Sequence, residues 1–99
     1  MDAIHINISI HKGGHCIVDK HQGGKPLFEG SREYCMNRIR NIIDDLSAIG
    51  GGHIIFHVDV WMVGDIDGMH TRSYFTSHLL ALNNTSRFNI EIASSGLYR

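Results

Sequence analysis

Histidine and aspartate alternate with apolar side chains in residues 53–63, HIIFHVDVWMV. His57 and Asp59 are two residues apart, so in an extended strand they lie on one face. Together they can hold a transition-metal ion if a third ligand, His5 or His11, comes from a neighbouring strand. The metal hypothesis therefore needs His57, Asp59 and His5 and a divalent transition metal such as zinc. The alternative is that these are solvated polar positions of an exposed sheet face.

The two cysteines, Cys16 and Cys35, do not have the spacing of a metal-binding or redox motif. Both are expected to point into the core, where thiols are usually inert. Paired carboxylates for acid–base chemistry are not evident in the sequence either. We therefore expect a protein without enzymatic activity and without a cofactor.

Trp61 carries the strongest signal for binding another protein. If the helices cover the opposite face of its strand, Trp61, Ile55 and Val63 are exposed beside His57 and Asp59, and an exposed tryptophan ringed by polar groups is typical of an interface anchor. The alternative is that the terminal strand or a loop covers Trp61. A second candidate surface lies on the first helix, where three arginines can meet an acidic partner: Arg32, Arg38 and Arg40.

Strands open the chain. Isoleucines alternate with polar residues from Ile4 to Ile10, which predicts a half-buried strand. Gly13-Gly14 predicts a tight turn into a second strand at residues 16–18. A third, short strand at residues 25–29 contains Pro26, which suits a strand start or a sheet edge. The sequence thus predicts a three-stranded meander.

An amphipathic helix follows, with Ser31 as its N-cap and Glu33 in its first turn. Residues 50–52 are glycines and predict its end in a left-handed C-cap. Its apolar residues recur at helical spacing: Cys35, Met36, Ile39, Ile42, Ile43, Leu46 and Ile49.

The second half of the chain contains one segment whose pattern fits both a strand and a helix. Residues 53–63 read as the longest and central strand. Residues 69–76 fit a strand, while residues 73–83 fit a helix with Tyr74, Leu79, Leu80 and Leu82 inward, and residues 87–93 fit a last strand. The expected fold is α+β, one mainly antiparallel sheet with two helices on one face in the order βββαβ(β)αβ.

Length and charge narrow the functional classes. The 99 residues fit a single domain spanning 1–99, and a net charge of −1 argues against a direct nucleic-acid binder. The N-terminus does not resemble a signal peptide and no apolar run reaches membrane-spanning length, so we expect a cytoplasmic protein without membrane contact. Eight histidines make the chain histidine-rich.

Residues 24–33, GKPLFEGSRE, lead from a glycine-turned meander through a cap into an amphipathic helix. This arrangement resembles small α+β proteins of phages and mobile elements, including some anti-CRISPR proteins. The resemblance implies a small inhibitor that binds and blocks a larger protein or complex of a host defence system. The alternatives are a metal-dependent enzyme or metal-binding module centred on His57 and Asp59, and a structural subunit that forms a homodimer through an edge strand at residues 26–29.

Overall fold

The computed structural model describes residues 3–20, 25–61 and 66–97, which form five strands, two α-helices and one short 3₁₀ turn. The two helices alternate with the last three strands. The elements are β1 (Ile4–Ile10), a 3₁₀ turn (Lys12–Gly14), β2 (Cys16–Lys20), β3 (Phe28–Gly30), α1 (Arg32–Ile49), β4 (Gly52–Val60), α2 (Ile66–Thr85) and β5 (Phe88–Leu97).

All five strands form one mixed sheet in the order β3-β2-β1-β4-β5. The predicted meander is present, because β2 pairs antiparallel with both β1 and β3. However, β4 runs parallel to β1 and to β5, so the expectation of a mainly antiparallel sheet is wrong. The physical reason is the connections: α1 and α2 each carry the chain back along the sheet, so the next strand starts in the same direction as the previous one.

Local sequence explains β1 and α1. Ile6, Ile8 and Ile10 are buried while the residues between them are not, as their alternation predicts. At the start of α1 the Ser31 hydroxyl accepts a hydrogen bond from the Tyr34 backbone N–H at 3.1 Å, a cap worth about 1 kcal/mol. The buried side of α1 consists of Cys35, Met36, Ile39 and Ile43.

The predicted turns are partly correct. Gly13 and Gly14 both have a φ of 80°, the left-handed conformation that glycine adopts most easily. Gly50, in contrast, has a φ of 166°, which is extended backbone, so the predicted left-handed C-cap of α1 is wrong. The helix ends instead with the Gly50 N–H donating to the Leu46 carbonyl at 3.1 Å.

The ambiguous region 69–76 is helical, since α2 runs without interruption from Ile66 to Thr85. Its inward side is offset from the predicted one: Leu80 is 53% exposed and Tyr74 is only partly buried. The residues that α2 buries at helical spacing are Gly68, Thr71, Phe75, Leu79 and Leu82.

The later strands also differ from expectation. β4 ends at Val60, and β5, with ten residues, is longer than β4 with nine. β1 occupies the centre of the sheet and β4 lies beside it. Met62 and Val63, predicted to extend β4, lie outside the described residues. β3 is an edge strand that begins after Pro26.

The hydrophobic core lies between the sheet and the two helices. α1 packs on β2 and β3, and α2 packs on β1, β4 and β5. Even-numbered residues of β1, β2 and β4 point toward the helices, and Ile8, Phe56 and Val58 among them are fully buried. Neither described helix is long and apolar enough to span a lipid bilayer.

Candidate functional site: the open face of the sheet

The second side of the sheet is not covered by any of the described helices or strands. Because side chains alternate along a strand, the odd-numbered residues of the sheet point to this side. We call it the open face. It consists of these strand residues and of His11, His15 and Trp61, which adjoin the strand ends: His5, Asn7, Ser9 and His11, then His15, Ile17, Asp19 and Glu29, then His53, Ile55, His57, Asp59 and Trp61, and finally Asn89, Glu91 and Ala93.

The strand register fixes which of these side chains are neighbours. His5 lies beside Ile55, and Ile55 lies beside Glu91. One row further along, Asn7 lies between Asp19 and His57. Imidazole, carboxylate and apolar side chains are therefore neighbours on the open face.

Trp61 closes one end of the open face, directly after β4. Its backbone N–H donates to the Ile10 carbonyl at 3.0 Å, which continues the pairing of β1 and β4 by one residue. The indole is parallel to the His11 ring, with an interplanar angle of 3° and a centroid distance of 6.1 Å. It remains 41% exposed, so the described part of the chain does not cover it. Ile55 is partly buried on the same face, and Val63 lies outside the described residues.

His5 and His57 meet in the middle of the open face. His5 Nδ1 lies 2.9 Å from His57 Nε2, and the rings stack with a centroid distance of 5.2 Å. At this distance one nitrogen must carry the proton and the other must accept it. The predicted approach of His5 to His57 is therefore present, although the residues are 52 positions apart in sequence.

Asp59, the other residue of the metal hypothesis, follows on β4. Its Oδ1 atom is buried and is without a hydrogen-bond partner among the described residues. Within the described part of the chain, no group of three or more histidine, cysteine or acidic residues is arranged to hold a metal ion. The structure thus brings two of the three predicted ligands, His5 and His57, into contact, and Asp59 does not form a metal-binding group with them.

A contact that the sequence did not indicate joins β4 to β5. His53 Nε2 lies 3.1 Å from Glu91 Oε2, an ion-pair distance whose geometry does not make a hydrogen bond. The strand alternation places both residues on one side, but only the parallel register of β4 and β5 makes them neighbours. A similar, longer contact of 3.8 Å joins His15 to Glu29 at the other edge.

The arginines of the second predicted surface lie on α1, on the opposite side of the sheet, and each has a local contact. Arg32 Nε is 3.0 Å from Glu33 Oε1, and Arg40 donates to Asn37 at 2.8 Å. The pKa of Glu33 lies below its ordinary value, first because its own backbone N–H binds the carboxylate and then because of Arg32. Two guanidinium groups also stack on rings, Arg32 on Tyr74 at 4.9 Å and Arg38 on Phe28 at 5.5 Å.

The two thiols are buried, and burial makes both of them poor nucleophiles. Burial, followed by the nearby Cys35 and Glu33, raises the pKa of Cys16 to about 12. Burial, followed by Glu29, also raises the pKa of Cys35. Both cysteines are free thiols, and the Cys35 Sγ donates to the Cys16 carbonyl at 3.6 Å. A thiolate forms only at high pH, so these cysteines pack the core.

Comparison with known proteins returns no matching family, no matching characterised protein and no matching solved structure.

Proposed function

We propose that this chain is a non-enzymatic protein-binding domain that engages a larger protein or complex through the open face. The single observation that carries the proposal is Trp61, which is 41% exposed on a sheet face that the described helices leave uncovered. Most sheets of this kind bury one side and leave the other polar, but here an indole and Ile55 interrupt the polar residues. The anti-CRISPR-like character of residues 24–33 makes a host defence complex the partner class to test first.

The polar residues around Trp61 suit a binding surface. Interfaces are built from a few large anchors surrounded by polar groups that exclude water. Trp61 is held by its stack on His11 and by the backbone bond to Ile10. A side chain that is already fixed loses little conformational freedom when a partner binds, which favours affinity.

The test compares three forms of the chain as bait in extracts of its native host cells. Trp61→Ala removes the anchor, and Ile49→Ala removes an even more exposed apolar side chain at the end of α1. We expect quantitative mass spectrometry to find a protein retained by the wild type and by Ile49→Ala, and at least tenfold less of it on Trp61→Ala. Equal retention by all three forms, with circular dichroism showing that they are folded, would refute the proposal.

A metal-binding module is the second candidate, and the meeting of His5 Nδ1 with His57 Nε2 at 2.9 Å favours it. Two imidazole ligands of a tetrahedral zinc ion are separated by about 3.3 Å, so a small opening of this pair would admit an ion. Zinc titration by calorimetry tests it: one ion should bind per chain, and His57→Ala should abolish binding while His70→Ala, an exposed histidine on α2, should not. Zinc binding that is absent or insensitive to His57→Ala would eliminate this candidate.

A further inference from the structure

The charged residues of this chain are divided unevenly between the two sides of the sheet. Among the sixteen residues of the open face are four carboxylates, five histidines and neither lysine nor arginine. Its formal charge is therefore −4 when the imidazoles are neutral. The whole chain carries −1, so all remaining residues together carry +3. The carboxylates belong to different strands: Asp19 on β2, Glu29 on β3, Asp59 on β4 and Glu91 on β5.

Three described basic residues lie in or beside the strands of the sheet. Lys12 lies in the turn between β1 and β2, and Arg87 directly precedes β5. Lys20, at the end of β2, pairs with Ile6, so its position in the strand alternation belongs to the helix side. Among the described residues, the strands therefore present carboxylates and imidazoles on this side without a lysine or arginine beside them in the strand alternation.

Two further features of the open face suit a positively charged side chain. Asp59 Oδ1 is a buried acceptor without a hydrogen-bond partner among the described residues, and a buried carboxylate oxygen in this state is costly until a donor reaches it. Trp61 presents an exposed indole at the same end of β4, and indole faces attract guanidinium and ammonium groups. A docked arginine can stack on the indole and bring its charge close to the Asp59 carboxylate.

We propose that the occupant of the open face is a basic protein segment, whose arginine or lysine side chains meet the carboxylates of β2 to β5 and stack on Trp61. This inference rests on the proposed function and names the chemistry of the partner. Complementary charge steers such encounters and selects among partners. The same charge repels the phosphates of a nucleic acid.

The experiment uses hexa-arginine as the probe and hexa-glutamate as its opposite, each titrated into the full isotope-labelled chain at pH 7.5 and followed by NMR. Hexa-arginine should shift the signals of open-face residues, the Trp61 indole among them, and hexa-glutamate should not. Asp19→Asn combined with Glu91→Gln should weaken binding about fivefold, given two solvent-accessible charge contacts. The matched control, Asp44→Asn with Asp45→Asn, removes the same charge from the exposed side of α1 and should leave the affinity unchanged.

Shifts that map to α1, equal weakening by both double variants, or the absence of any shift would overturn the inference. These results are separable from the bait experiment on the proposed function. A partner retained through Trp61, together with hexa-arginine that does not bind the open face, would leave the binding function standing and reject only the basic character of the partner. If the bait experiment finds no protein whose retention depends on Trp61, the binding function itself is rejected.

Discussion

The loop between α1 and β4 gives the sharpest prediction about stability, because two adjacent glycines in it have different surroundings. A β-carbon added at Gly51 would lie 2.4 Å from the Arg87 carbonyl oxygen and 3.1 Å from the Arg87 β-carbon. One added at Gly50 meets no atom within 4 Å, and the backbone there is extended. The two positions thus form a matched pair for a single added methyl group.

Gly51→Ala should destabilise the fold. Nonbonded carbon and oxygen atoms rarely approach below about 3 Å, so the Arg87 backbone would have to move by about 0.6 Å or more. Arg87 leads into Phe88, which pairs with Gly52 at the start of the β4–β5 ladder, so the displacement would disturb that pairing. Overpacking of this kind costs about 1–3 kcal/mol, which corresponds to a fall in Tm of roughly 5–20 °C for a domain of this size.

Gly50→Ala should leave Tm unchanged or raise it slightly, since alanine restricts the unfolded chain and meets no obstacle in the folded one. Thermal unfolding followed by circular dichroism at 222 nm measures both variants under the same conditions. If the two variants melt within about 1 °C of each other, or if Gly50→Ala is the less stable, then the close approach of Gly51 to Arg87 does not exist in solution.

Three further predictions follow from single contacts. Asn83→Ala should lower the free energy of unfolding by about 1–2 kcal/mol, because Asn83 Oδ1 accepts a hydrogen bond from the Ile90 N–H at 2.8 Å. The control is Asn84→Ala, on the exposed side of α2, which should leave the free energy of unfolding nearly unchanged in urea. Equal losses for the two variants would contradict this prediction. The stability contributed by the raised pKa of Cys16 is complete below the ordinary value of 9.0 and is lost as pH rises toward 12. The urea midpoint should therefore fall less between pH 8 and pH 10 for Cys16→Ala than for the wild type. Hexa-arginine should bind more weakly as salt is added, because screening reduces the attraction between its guanidinium groups and the four carboxylates of the open face; affinity that is independent of salt concentration would contradict the charge assignment.

The strands and helices with regular spacing could be predicted from sequence. Four isoleucines at alternate positions defined β1 to the residue, and the cap at Ser31 located the start of α1. α2 was harder because its buried stripe includes a glycine and a polar residue, Gly68 and Thr71, and because exposed Leu80 follows buried Leu79. The apolar residues alone therefore suggested an inward side that is rotated from the true one.

Strand direction and the candidate site depended on information that local patterns do not contain. Alternation predicts which residues share a face, and it correctly grouped His57, Asp59 and Trp61. It does not indicate whether β4 runs parallel or antiparallel to its neighbours. The contacts of His57 with His5 and of His53 with Glu91 exist only because β4 pairs in parallel with β1 and β5.

The position of β1 at the centre of the sheet has a consequence for synthesis of the chain. β1 can form its hairpin with β2 within the first 20 residues, whereas each residue of its other edge pairs with a residue 50 positions later, Ile4 with Ile54 for example. At a translation rate of about 5–20 residues per second, that edge waits roughly 3–10 seconds for β4 to leave the ribosome. During this interval an isoleucine-rich strand displays unpaired backbone groups, the condition under which nascent chains pair with the wrong partner. Folding of this domain is therefore expected to finish late and to be limited by a contact between distant parts of the chain.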